Sequence, residues 1–225
     1  MPNTKSSPRR PTSRKAVNPA PSDPTRAKLL DAATEVFADR GYYAATVREI
    51  SRRAGANIAS VNYHFGDKLG LYTDVLRSAV SSVGLAARAA FERNLPPEQT
   101  IRTVVKVMLS RLYGQDKPSV PFRLMRHELS HPTPALAHAV DEIIRPNFDR
   151  LRGAVGATLG RSPDDLKTRL STQSIMGQVF FYPLTAPVLG RLWPQFKMTP
   201  EQLDSIAEHI ADFSLAALRA QKVKA

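Results

Sequence analysis

Cysteine is absent from all 225 residues, which excludes a disulfide scaffold, a cysteine-ligated zinc finger, an iron–sulfur centre and thiol catalysis together. Aromatic residues make up only 7%, and 20 Asp+Glu stand against 32 Lys+Arg, a formal net charge of +12. Such an imbalance favours a polyanionic partner and says little about fold. No apolar run of the signal-peptide kind stands near Met1, so nothing points to export and a cytoplasmic setting is expected. Residues 170–190 carry no charge over a length that spans a bilayer. Ser171, Thr172, Gln173, Ser174 and Gln178 crowd its first half, and Pro183 and Pro187 interrupt the second. Burial against protein is therefore expected there, with no membrane partner.

A chain that is 42% hydrophobic and 23% charged can bury a core without staples, as one large domain or two small ones. Its charge is unevenly placed: +5 in residues 1–22, +1 in residues 23–80 and +6 in residues 81–225. The first segment has five prolines, no acid and almost no large aliphatics. It cannot offset its chain entropy by burial, so a disordered basic arm is expected, serving solubility or loose tracking of phosphates.

After residue 22 the apolar residues recur at helical spacing, and the reading is all-α with about nine helices. Asp23 and Pro24 open a first helix that buries Leu29, Leu30, Ala33, Val36 and Phe37, and Gly41 ends it. Thr46 and Glu49 form the two halves of a capping box before a short helix with Ile50 and Ala54 inward. Gly55 stops that helix, and Asn57 caps another short one holding Val61 and Phe65. Asp67 begins a longer helix through Leu71, Val75 and Leu76. Two short helices joined by a three-residue glycine turn, with a helix before and after, are a helix-turn-helix signature. Later helices open at Ser162-Pro163 and at Thr199-Pro200. In the last, Leu203, Ile206, Ile210, Phe213 and Ala217 follow a seam of coiled-coil spacing.

The run 26–76, RAKLLDAATEVFADRGYYAATVREISRRAGANIASVNYHFGDKLGLYTDVL, resembles the DNA-binding domain of the TetR family of bacterial transcriptional regulators. The segment 126–136, RHELSHPTPAL, is similar to the C-terminal domain of the CecR-type subgroup. The resemblance implies an all-α homodimer with two DNA-binding heads and a ligand-responsive body. The expected organisation is a basic arm at 1–22, a three-helix DNA-binding domain at 23–72 and an effector-binding and dimerisation domain at 73–222.

In such a head the second short helix enters the major groove of operator DNA. Val61 and Phe65 hold it, and Asn57, Ile58, Ala59, Ser60, Asn62 and Tyr63 remain outward. Asn62 has the donor and acceptor for adenine, although the family usually carries an aromatic there. Ser60 bonds either way, and Ile58 and Ala59 offer apolar contact to thymine methyl groups. Arg48 matches a family position that reaches a base edge and suits the acceptors of guanine. Thr46, Tyr63, His64 and Lys68 match positions that hold phosphates, which set register while base contacts set sequence. Thr46 equally serves as a helix cap alone.

His127-Glu128-Leu129-Ser130-His131 spells H-E-x-x-H, the zinc-protease spacing. Pro134 and Ala137 stand where the extended motif needs glycine and a third histidine, and Pro132 breaks the helix. A zinc site at His127 and His131, completed by Glu128 or His138, is kept as the alternative, as is a ligand or metal carrier that binds no operator. With no P-loop, dinucleotide fingerprint or nucleophile elbow, no enzyme and no cofactor are expected. A small-molecule effector pocket is expected from Phe122, Arg123, Arg126 and His127 on one helix and Gln173, Met176, Gln178, Phe180, Phe181 and Tyr182 on another. Inward Arg123 and Arg126 would favour an anionic or carbonyl-rich effector. The homodimer is expected to pair helices 162–189 and 199–220 as a four-helix bundle, through Val179, Tyr182, Ile206, Ile210, Phe213 and Ala217.

Overall fold

A computed structural model describes residues 23–113 and 118–222; the expected basic arm lies outside the described residues. The head is built from α1 (Pro24–Ala44), α2 (Val47–Ala54), α3 (Ile58–Phe65) and the start of α4 (Lys68–Phe91). The body adds α5 (Pro97–Leu112), α6 (Val120–Ser130), α7 (Pro134–Ala139), α8 (Arg145–Leu159), α9 (Leu166–Leu192) and α10 (Pro200–Ala220). A π-turn, Val140–Ile144, joins α7 to α8 without a break. Counting that rod once gives nine, and no strand occurs among the described residues.

The caps explain most helix boundaries. Asp23 Oδ1 accepts from Thr25 N at 2.9 Å, Asn57 Oδ1 from Ala59 N at 3.0 Å and Asp67 Oδ1 from Gly70 N at 2.7 Å, each satisfying an otherwise orphaned donor of a first turn. Thr46 accepts from Glu49 N at 3.2 Å. Only this half of the capping box is built from hydrogen bonds, because Glu49 pairs instead with Arg40 at 2.9 Å and Arg53 at 3.3 Å.

Two sequence expectations need correction. Gly41 kinks α1 rather than ending it: at φ 72°, ψ 174° it leaves the helical region, and the chain turns on to Ala44. Helix α9 starts later than Ser162, since Asp165 is the residue whose side chain accepts from Lys167 N at 2.9 Å. As the expected span to residue 189 implies, α9 runs on through Pro183 and Pro187, to Leu192.

Two apolar cores run through this frame. One gathers Ile101, Val104, Val105 and Leu109 of α5 with Leu151 and Val155 of α8, Ile175 and Val179 of α9, and Ile206 and Ile210 of α10. The other gathers Leu29, Val36 and Phe37 of α1, Ile50, Val61, Leu71, Tyr72 and Val75, and also Leu124 of α6 and Ala135 and Ala139 of α7. The head is thus packed into the first helices of the body, and α4 crosses residue 72 as one uninterrupted rod.

Candidate DNA-binding and effector sites

The face expected to read DNA is assembled from the N-terminal turns of α2 and α3. Val61 is fully buried and anchors α3, which leaves Ile58 at 48% exposure and Tyr63 at 84%. Asn57, Ala59 and Asn62 are also exposed, and Ser60 is half-buried. Large apolar groups left in water beside polar ones on one short helix mark a surface made to be covered. Arg48 and Thr46 are exposed at the start of α2, and no ion pair holds Arg48 among the described residues. Its guanidinium is therefore free to turn to a base edge.

Two residues expected at phosphates have intramolecular partners. His64 is turned inward, its side chain only 10% exposed, with Nε2 3.5 Å from Asp23 Oδ2. Lys68 lies over the Tyr42 ring, Nζ 4.5 Å from its centroid, and partial burial pulls its ammonium below the usual lysine range. A cation held over a ring costs little to swing onto a phosphate, whereas His64 would have to leave its packing.

The H-E-x-x-H segment is a joint between head and body. Glu128 is fully buried; its Oε1 accepts from Tyr72 Oη at 2.6 Å and from Thr133 Oγ1 at 2.9 Å, and its Oε2 accepts from Thr133 N at 2.9 Å. Burial and then the bond to Glu128 push the Tyr72 phenol far above its ordinary range. His127 Nε2 lies 3.2 Å from Ala38 O, and its ring fills the space beside Gly41, where a Cβ would fall 2.8 Å from Nδ1. His131 leaves the helix as its exposed C-cap. The two histidines and the glutamate therefore point three ways, and no group of three metal-capable side chains occurs among the described residues.

One apolar cavity, about 700 Å³ of non-protein space with part of it open to solvent, lies between α4, α5, α6, α8 and α9. Val80, Val83 and Ala87 of α4, Met108 of α5, Pro121 and Met125 of α6, Phe148 of α8, and Met176 and Phe180 of α9 contribute to its wall. Asn147 is the lone polar side chain there among the described residues. Its Nδ2 donates to Ile143 O at 2.9 Å, and its buried Oδ1 has no protein partner among the described residues.

Of the residues expected at an effector pocket, Met176 and Phe180 line this cavity. Phe122 lies buried in the body core, its ring stacked on Phe180 at 6.4 Å. Arg123 faces away, pairing with Asp39 and, at 3.4 Å, with Glu35 of α1. His127 joins it at α1, and Arg126 is exposed. Gln178 bonds Ser214 Oγ of α10 at 3.3 Å. Phe181 is exposed, Tyr182 stacks on Phe196 at 6.5 Å, and Gln173 lies in a separate groove. Sequence reading missed the α4, α5 and α8 walls. Gly84 was a usable signal: a Cβ there would strike Ile143 at 2.6 Å, so that glycine sets the approach of α4 to the Asn147 turn.

Among the residues expected at a dimer interface, Val179 and Ile210 are fully buried and Ile206 is buried within the protomer's own core. These three are corrected to intramolecular packing. Phe213 and Ala217 remain outward, and α9 adds an exposed line of Leu170, Ser174, Gly177, Phe181, Leu184 and Val188. No described helix is long and apolar enough to cross a membrane.

Residues 97–218, more than half of the chain, match the family described as "HTH-type transcriptional dual regulator CecR, C-terminal domain", and residues 29–75 match "Bacterial regulatory proteins, tetR family". The transcriptional activator FasR of Mycolicibacterium smegmatis is 40% identical over 89 residues, 40% of this chain and 41% of FasR; the chain thus spans about two-fifths of that relative's length. The dual regulator CecR of Shigella flexneri is 27% identical over 168 residues, 70% of this chain and 74% of CecR. In fold, the chain is similar to the regulator FadR of Bacillus subtilis, solved in complex with stearoyl-CoA, with a TM-score of 0.65 at 18% identity over 84% of this chain and 97% of FadR. The chain therefore belongs to the TetR family of bacterial DNA-binding transcriptional regulators, and its C-terminal domain is of the CecR type.

Proposed function

We propose that the protein is a ligand-released repressor that acts as a homodimer on a roughly palindromic operator. The observation that carries this reading is the position of α6 between cavity and head. Pro121 and Met125 face the cavity, while Arg123 and His127 on the same helix grip α1. A ligand that moves α6 must disturb α1 or lose those contacts, so it discriminates between two placements of the head. Two heads related by a two-fold axis read the same half-site twice, hence the palindrome. The FadR structure with stearoyl-CoA supports ligand binding in a body of this fold, and the apolar walls here call for a mainly apolar effector.

Arg48 reads a base in this scheme and Lys68 holds a phosphate. Arg48→Ala is expected to lower the preference for operator over random duplex by about 1–3 kcal/mol, whereas Lys68→Ala weakens both duplexes alike and flattens the salt dependence. Gel-shift titrations at two salt concentrations read both effects. Equal losses on both duplexes for Arg48→Ala would remove its base-reading role.

A further inference from the structure

Beside the apolar cavity runs an open groove that mixes charged with apolar side chains. It is lined by Arg145 and Arg152 with Asp149 on the α8 rod, by Arg169 and Gln173 of α9, and by Ile144 and Phe148. Ile144 and Phe148 also line the apolar cavity, so these two residues border both spaces. This border follows directly on the π-turn Val140–Ile144, a distortion that recurs at functional sites.

The three guanidiniums pair with surface carboxylates, Arg145 and Arg169 being exposed themselves and Arg152 partly buried. Arg145 pairs with Asp141 at 2.7 Å, Arg152 with Asp149 at 3.1 Å and Asp164 at 3.3 Å, and Arg169 with Asp164 at 3.0 Å. All three aspartates are exposed, and exposed pairs of this kind are weak enough for an incoming anion to displace. Arg152 also carries a buried Nε–H with no acceptor among the described residues. Three forked donors around one groove suit a carboxylate or a phosphate.

Resting on the reading of the apolar cavity as the effector site, we propose that the effector is an anionic amphiphile. Its hydrocarbon tail fills the cavity, and its head group reaches past Ile144 and Phe148 to Arg145, Arg152 and Arg169. The tail gains its affinity from burial, and the arginines select the head. A carboxylate and a phosphate meet the same guanidiniums, so a free fatty acid and a phosphate-bearing fatty acyl thioester share this chemistry.

The test is direct binding to the purified full chain without DNA, by calorimetry below the micelle concentration, with hexadecanoate, hexadecanoyl-CoA and hexadecan-1-ol. At least one anionic probe is expected to bind roughly tenfold more tightly than the alcohol. Affinity should rise about 3–4-fold per methylene in a series of shorter chains. The double variant Arg152→Gln/Arg169→Gln should erase the anionic advantage and leave the alcohol unchanged. Arg145→Gln, at an exposed site, carries the same test if the double variant fails to fold. Preference for the CoA ester identifies a phosphate-bearing ligand, and preference for hexadecanoate a free carboxylate. An alcohol that binds as tightly as both anions, or arginine variants without effect, overturns the head-group assignment while leaving the cavity as the effector site. No binding by any of the three overturns the amphiphile, and operator binding, measured separately, stands or falls on its own.

Discussion

Tyr72 and Glu128 join two elements at the point where the head meets the body. The Tyr72 ring packs edge-on against Phe37 at 4.8 Å, while its hydroxyl is one of three donors to a carboxylate sealed from water. Removing one such donor leaves a buried acceptor short of a partner, at a cost of about 1–3 kcal/mol. Burial raises the Tyr72 pKa above its unfolded value near 10, which fixes the sign of a pH dependence. The neutral phenol is favoured in the folded state, so its contribution is complete below pH ~10 and is lost as the pH rises above it, where the unfolded chain ionises first. Tyr72→Phe should accordingly be less stable than wild type at neutral pH by about 1 kcal/mol or more, yet show a shallower loss of stability between pH 9.5 and 11. Denaturant melts across that range check this; parallel slopes for the two proteins would contradict it.

The contrast between Arg48 and Arg123 belongs to the same scale. Both are arginines near the head, and sequence alone assigned Arg123 to an effector. The structure gives Arg123 two carboxylates on α1 and Arg48 none among the described residues. A side chain's partner across 84 or 88 residues cannot be read from local spacing, because the tertiary fold alone brings Asp39 and Glu35 to it.

At the scale of helices, periodicity reported which residues share a face but not what covers that face. Leu203, Ile206, Ile210 and Phe213 do recur at coiled-coil spacing, yet the first three are buried against α5 and its neighbours in the same protomer. Phe213 is 62% exposed. The α9 line Leu170, Ser174, Gly177, Phe181, Leu184 and Val188 follows spacings of 4, 3, 4, 3 and 4 with every member exposed, the pattern of a helix face that awaits another helix. Phe181→Asp combined with Phe213→Asp is therefore expected to give a monomer with little change in its circular dichroism, whereas Ile210→Asp should destabilise the fold itself by a few kcal/mol through a buried charge. Sedimentation velocity separates the outcomes; a stable dimer in the double variant would exclude this face. The caps at Asp23, Asn57, Asp67 and Thr199 were legible beforehand because each acts within its own first turn. The start of α9 was misread because Ser162 does cap a turn, its Oγ accepting from Asp164 N at 3.1 Å, but that turn precedes the helix, which Asp165 caps.

For the molecule as a whole, the helix-turn-helix was legible because it is local: glycine turn, caps and two anchors lie within about fifty residues. The cavity was not, since its wall is drawn from five helices spread over residues 80–180. Excess positive charge pointed toward a polyanion but not to the reading surface, for residues 23–80 carry only +1. In the function proposed above, DNA recognition rests on the exposed N-terminal turns of α2 and α3, and regulation on the grip of α6 on α1. Selection of genomic fragments by the purified full chain, repeated at moderate salt to strip non-specific binding, tests this account most directly. Enrichment of a roughly palindromic site, lost on adding the effector, is predicted; binding to all fragments alike, or none surviving the salt wash, would contradict it.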